Sequence, residues 1–189
     1  MEIDKMFSCQ SFLFHPKKSL RDLENIPPGT FININDTEAV SEIERYIGAA
    51  EIEGAIVLSY YDQQILTLRT WDYVDFLWNN LVRSVDEVLQ TGEALCRFWG
   101  CPCEISLCTC GNSFIKMHTN WNDKRYFLPE KELFMTILYG AADFFKRLND
   151  LPRHFGGYAG EITRSYDIMG RMNQIFDLAP YPWDSIDRT

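Results

Sequence analysis

Val74, Leu77, Trp78, Leu81, Val85, Val88 and Leu89 recur at the three- and four-residue spacing that gathers side chains on one side of a helix, between Asp72 and Gly92. An apolar stripe of this length must be covered, so the helix it predicts has to lie against a second layer of structure. The opposite face carries Asp75, Asn79, Asp86 and Glu87. Asp72 stands where it can cap the N-terminus, and Gly92 where it can end the helix in the left-handed conformation.

Sheet is the expected second layer. Gly54 opens Ala55-Ile56-Val57-Leu58-Ser59-Tyr60, and Asp62-Gln63 separates this run from Ile65-Leu66-Thr67-Leu68-Arg69-Thr70, the pattern of a hairpin. Apolar residues on both faces predict that it lies near the middle of a sheet covered on both sides. Residues 105–107 and 114–117 flank Gly111-Asn112 and predict a second hairpin with a two-residue turn. Earlier in the chain, strands are expected near Phe12 and over Phe31-Ile32-Asn33-Ile34, then a helix over 38–47 capped by Asp36 or Thr37 and closed by Gly48.

Pro129, at a first helical position, introduces Leu133, Phe134, Ile137, Leu138, Ala141, Phe145 and Leu148, and residues 149–152 stop that helix. Gly156-Gly157 reads as a hinge before a last helix over 158–176, and residues 179–189 as a proline-bearing strap. Hairpins followed by helices that cannot all be crossovers predict the α+β class: an antiparallel or mixed sheet built from hairpins, with about four helices packed on it. The 189 residues suit a single domain, and no repeat of fixed period breaks them up.

With 46% hydrophobic and 24% charged residues the chain falls among globular rather than disordered sequences. Its apolar runs are far shorter than the ~20 residues of a membrane span. Met1-Glu2-Ile3-Asp4-Lys5 is charged at once and leads into no long apolar block, so it does not read as a signal peptide. The expectation is a cytoplasmic protein, monomeric or weakly dimeric, that does not contact membrane and keeps its six cysteines reduced.

The net charge of −9 is unevenly placed: residues 22–93 hold fourteen acids against Arg45, Arg69 and Arg83, a balance of −11, and the remainder sums to +2. A field of that sign repels phosphate backbones and attracts basic proteins, so nucleic acid is excluded as a partner and a basic protein is favoured.

Few residues carry recognisable chemistry. Cys96, Cys101, Cys103, Cys108 and Cys110 fall within fifteen positions, and Cys101, Cys103, Cys108 and Cys110 as two pairs match the donor set of a zinc site. A single residue between the members of each pair is tighter than the usual knuckle. Alternation along a strand from 103 to 110 would also put Cys103 on one face and Cys108 and Cys110 on the other. Reduced cysteines serving as small apolar side chains is the favoured reading, and a small enzyme or zinc-binding regulatory module centred on 96–110 is the competing one. His15, His118 and His154 form no helical ligand pair, Asp123-Lys124-Arg125 reads as a solvated loop, and Gly156, Gly157 and Gly160 lack the lysine and preceding strand of a phosphate cradle. No catalytic residue and no cofactor is assigned.

The segment Trp71-Asp72-Tyr73-Val74-Asp75-Phe76-Leu77-Trp78-Asn79-Asn80-Leu81-Val82, the cysteine-rich hairpin after it, and the helix ending in Phe144-Phe145 resemble small bacterial immunity proteins of polymorphic toxin systems. The resemblance implies a cytosolic antidote that binds and blocks a cognate toxin protein. A basic toxin such as a nuclease suits the acidic half of the chain, with Glu38, Glu42, Glu44, Glu51 and Glu53 as the expected contact residues.

Overall fold

The computed structural model describes residues 6–47, 51–151 and 157–176. The first half forms β1 (Phe7–Phe14), β2 (Phe31–Asn33), α1 (Thr37–Ile43), β3 (Glu53–Tyr60), β4 (Gln63–Leu66), β5 (Asp72–Tyr73) and α2 (Val74–Thr91). The second forms β6 (Glu93–Arg97), β7 (Glu104–Thr109), β8 (Phe114–Thr119), β9 (Lys124–Pro129), α3 (Glu130–Asp150) and α4 (Ala159–Ile175). The class is α+β, as expected, but the single sheet becomes two antiparallel ones. One runs β2-β1-β3-β4 with β5 also paired to β3, and the other is the meander β6-β7-β8-β9.

Helix α2 lies between them. Its apolar positions are more extensive than one stripe, with Val74, Leu77, Trp78, Leu81, Val82, Val85 and Val88 all buried, because β6 and β7 cover one side and β1, β3 and α3 the other. Trp78 sits at the meeting point with no exposed surface. Its indole N–H donates to Ser11 Oγ on β1 at 3.0 Å, and its ring lies 6.4 Å from that of Phe144 on α3. The six-membered edge of the indole occupies the space beside Gly140, where an added Cβ would come within 2.5 Å of Cη2. Helix α3 can therefore approach only through a glycine.

The meander alternates as a half-wet sheet should. Ala94, Cys96, Ile105, Leu107, Ile115, Met117, Tyr126 and Leu128 face inward, while Leu95, Lys116, Arg125 and Phe127 face solvent. Beyond α3, α4 is held to α2 by Arg171 and Arg164, which reach Asp86 at 2.6 and 3.5 Å.

Several local expectations are corrected. The strand after Gln63 ends at Leu66, because Thr67 and Thr70 exchange side-chain and backbone hydrogen bonds and wind residues 68–70 into a 3-10 turn. The second hairpin closes through four residues rather than two, with Gly111, Asn112 and Ser113 at φ of 78°, 53° and 62°. Asp36 is the cap of α1, accepting from Ala39 N at 3.1 Å, but the helix stops at Ile43 and a 3-10 turn over Glu44–Tyr46 follows. Pro129 ends β9 and caps α3 instead of opening it. Strands β6 and β9 were not anticipated from the sequence. Gly48, Gly156 and the strap over 179–189 lie outside the described residues.

Trp78→Ala is expected to lower stability by ~3–5 kcal/mol through the cavity it leaves. Ser11→Ala should cost ~1–3 kcal/mol, since the indole N–H then stays buried without an acceptor. Urea unfolding of both single variants and the double variant checks this, and the double variant should lose less than the sum.

Candidate functional site

Asp72, expected as a helix cap, does something else. Tyr73 occupies the capping position of α2 without a side-chain bond, while Asp72 lies in β5, 3% exposed. Its two carboxylate oxygens accept from the backbone N–H groups of Trp99 and Gly100, and Oδ1 also accepts from Tyr73 N at 2.8 Å. Charge-assisted bonds of this kind are roughly twice as strong as neutral ones. They bind the loop between β6 and β7 to the start of α2, and the loop closes on itself where Phe98 N donates to Cys103 O at 3.0 Å. Gly100 is required there, since an added Cβ would lie 2.7 Å from Asp72 Oδ1.

The consequence is an exposed aromatic ledge. Trp99 is 68% exposed and stacks on Phe76, itself 36% exposed, with ring centroids 5.6 Å apart and planes 20° apart. Tyr73 meets Phe76 edge-on at 6.4 Å. Across the β3/β5 pair, Tyr73 is directly opposite Glu53, which places both side chains on one face of the sheet. Trp99, Phe76 and Tyr73 thus follow one another in contact, with Glu53 across the strand pair from Tyr73, and Asp75 accepts from the N–H of Ile52, the residue before β3, at 3.2 Å. Burial raises the Asp75 pKa above the ordinary carboxylate value, with the charge of Glu51 adding to it, against the opposing effect of the N–H groups of Phe76, Asp75 and Ile52.

The five expected contact glutamates separate into two groups. Glu51 and Glu53 are exposed at the start of β3, beside the ledge. Glu38 and Glu42 lie on the exposed side of α1, and Glu44 is half-buried in the 3-10 turn. This second group does not sit in an acidic surface. Residues after β1 fold against the turn, so that Lys17 Nζ stands 4.2 Å and Arg45 Cζ 4.7 Å from the Tyr46 ring centroid. Lys17, hydrogen-bonded to the phenol, draws the Tyr46 pKa below its usual value. His15, Lys17, Glu42 and Tyr46 line an open cleft of about 420 Å³ there.

Other acids of the 22–93 segment are engaged within the fold. Asp72 and Asp75 are buried, Asp36 caps α1, Glu24 pairs with Arg69 at 2.7 Å, and Asp86 with the two arginines of α4. Burial opposes the ionisation of Asp86, but hydrogen bonds from Arg171 and Gln90 and the charges of both arginines outweigh it and hold the carboxyl below its ordinary value. Of these, the pairing of Asp86 with Arg164 and Arg171 brings positive charge from outside the segment, so the −11 counted along the chain overstates the field there.

The cysteines are divided by β7. Cys101 and Cys103 precede it and Cys108 and Cys110 lie exposed at its other end, so Cys103 and Cys110 stand roughly 20 Å apart along an extended strand. One ion cannot reach both pairs, and among the described residues no three His, Cys, Asp or Glu side chains gather as a metal site. Burial and the adjoining Cys101 push the Cys103 thiol up to about 12, and burial does the same to Cys96. Neither is a thiolate near neutral pH. The residues read as a solvated loop prove to be strand: Lys124 and Arg125 belong to β9, and His118 Nε2 lies 2.9 Å from Asp123 Oδ1 in the turn before it.

Compared with known proteins, the chain matches no family model, no curated protein and no solved structure.

Asp72→Asn should free the 98–103 loop, because the amide keeps one acceptor oxygen and turns an NH2 toward one of the loop N–H groups that the carboxylate receives. A loss of at least ~1.5–3 kcal/mol is expected in urea unfolding, with faster hydrogen exchange at the Trp99 and Gly100 amides. Asp75→Asn keeps the acceptor for Ile52 and removes the buried charge. With a folded pKa above the unfolded one, Asp75 disfavours the fold at neutral pH and this penalty fades as pH falls through the folded pKa. The variant should equal or exceed the parent in stability at pH 7, and its advantage should shrink between pH 7 and 4, measured by chemical unfolding at each pH.

Proposed function

We propose that this chain is a protein-binding antidote of the immunity type, which occupies and blocks a cognate toxin domain of basic character. The observation that carries the reading is the ledge of Trp99 and Phe76, an exposed aromatic pair held in place by a buried carboxylate and bordered by Glu51 and Glu53. Binding energy concentrates on a few large aromatic side chains ringed by polar ones, and it is greatest where the free surface is already in its bound shape. Asp72 accepts from the backbone N–H groups of Trp99 and Gly100 and so holds the segment that presents this largely exposed ring.

The acidic residues have a separate part in this reading. Glu51 and Glu53, with Glu38 and Glu42 further away, bias the approach of a basic partner, while the aromatic pair sets how long it stays. The ledge replaces the α1 glutamates as the centre of the interface, because Lys17 and Arg45 stand beside Tyr46 at the end of that segment.

Co-expression with a toxin domain encoded beside it tests the proposal. Growth protection and a stable complex are expected. Trp99→Ala should weaken binding by ~30-fold or more with unfolding unchanged, as a central aromatic anchor worth at least ~2 kcal/mol requires. Replacing Glu42, Glu44, Glu51 and Glu53 by glutamine should slow association and flatten its salt dependence. Full protection by both variants, with unaltered kinetics, would rule out this surface.

A further inference from the structure

Two polar side chains hold the loop between β6 and β7, and Asp72 is only the first of them. Asn120, directly after β8, donates from Nδ2 to Pro102 O at 2.9 Å and accepts at Oδ1 from Glu104 N at 2.8 Å. It thus grips the chain on both sides of Cys103, while Asp72 grips Trp99 and Gly100 just before Cys101. Between these clamps the backbone bends at Cys101 and Pro102, and the two thiols come into hydrogen-bonding contact. We propose that Cys101 and Cys103 form a redox-active dithiol, which a low-molecular-weight disulfide such as oxidised glutathione converts into an internal disulfide.

Geometry sets this pair apart from the other cysteines. A disulfide needs Cα atoms about 4.4–6.8 Å apart and Cβ vectors that converge. Residues two apart in sequence can span no more than about 7 Å. Contact between the sulfurs shows that the two side chains converge. Cys9 and Cys96 lie on β1 and β6, where burial pushes both thiols up to about 12. Cys108 and Cys110 are exposed at the other end of β7, and their thiols donate to Thr109 O at 3.5 Å and Phe114 O at 3.2 Å.

The order of events follows from burial. Burial, and then the hydrogen bond with Cys101, push the Cys103 thiol up to about 12, so it is the poorer first nucleophile. Cys101 attacks first: its sulfur bonds to one sulfur of the small disulfide, the S–S bond of that disulfide breaks, and one small thiol leaves with the Cys101 proton. Cys103 then attacks the Cys101 sulfur of the mixed disulfide, and the second small thiol leaves with the Cys103 proton. Two protein thiols are oxidised and one small disulfide is reduced to two thiols. Both clamps act on backbone groups whereas the new bond joins side chains, so the loop that carries Trp99 gains a covalent tie and keeps its hydrogen bonds.

The test uses the intact chain carrying Cys108→Ser and Cys110→Ser, equilibrated with reduced and oxidised glutathione at fixed ratios, alkylated, digested and weighed by mass spectrometry. The peptide holding Cys101 and Cys103 should lose the mass of two hydrogen atoms and retain no glutathione. Adding Cys101→Ser or Cys103→Ser should instead leave one glutathione bound, gained faster on Cys101 than on Cys103. At one glutathione ratio the internal disulfide should be favoured about ten-fold more in the folded chain than in urea, because the clamps already hold the sulfurs together. A glutathione adduct that persists on the intact pair, thiols that stay free throughout, or an internal disulfide no more favoured in the folded chain than in urea overturns the proposal.

Discussion

One indole determines how the two halves of this molecule meet. Trp78 is too large to be accommodated by a single layer, and its N–H must find an acceptor where water cannot reach. Ser11 on β1 supplies the acceptor and Gly140 on α3 supplies the room. These two requirements fix the depth and rotation of α2 relative to the first sheet. Because Phe76 belongs to the first turn of that helix and Asp72 stands two residues before it, they also fix where the aromatic ledge is presented. The aromatic ledge and the core are two ends of the same constraint.

Legibility in the sequence followed the range of the interactions involved. The helices over 74–91, 130–150 and 159–175 were readable because their apolar periodicity is local. Strand β6 was missed since Glu-Ala-Leu-Cys-Arg alternates over only five residues and turns inward nothing larger than Ala94 and Cys96. Strand β9 opens with two cations and ends in proline, and it becomes a strand only by pairing with β8. The stretch 68–70 has strand-like composition, yet the Thr67 and Thr70 side chains offer the backbone a local alternative.

The site was the least legible part. Asp72 stands two residues before a helix, where capping is the default reading, and its real partners are 27 and 28 residues away. The only local sign was Trp99-Gly100, a large aromatic followed by a residue without a side chain, just before the cysteine pair. Charge misled for a related reason. A count along the chain treats Asp86 and Arg171 as belonging to different halves, whereas folding brings them to 2.6 Å, and it places Glu42 in an acidic run that in space adjoins Lys17. The two glutamates that do flank the ledge gain significance only from the pairing of β3 with β5.

The contact between β1 and α3 also bears on how the protein comes to be made. Strand β1 rests against a helix that starts at residue 130, so its apolar face stays bare until that distant helix has been made. Such long-range closure slows folding and lengthens the life of partly bare intermediates. Nascent β1 and β3 can pair early and protect each other's edges, but not the face that receives Trp78 and Phe144. Truncation before α3 should therefore produce chains retained by chaperones, and shortening the interval between synthesis of β1 and α3, as in a circular permutant that begins near residue 114, should raise soluble yield.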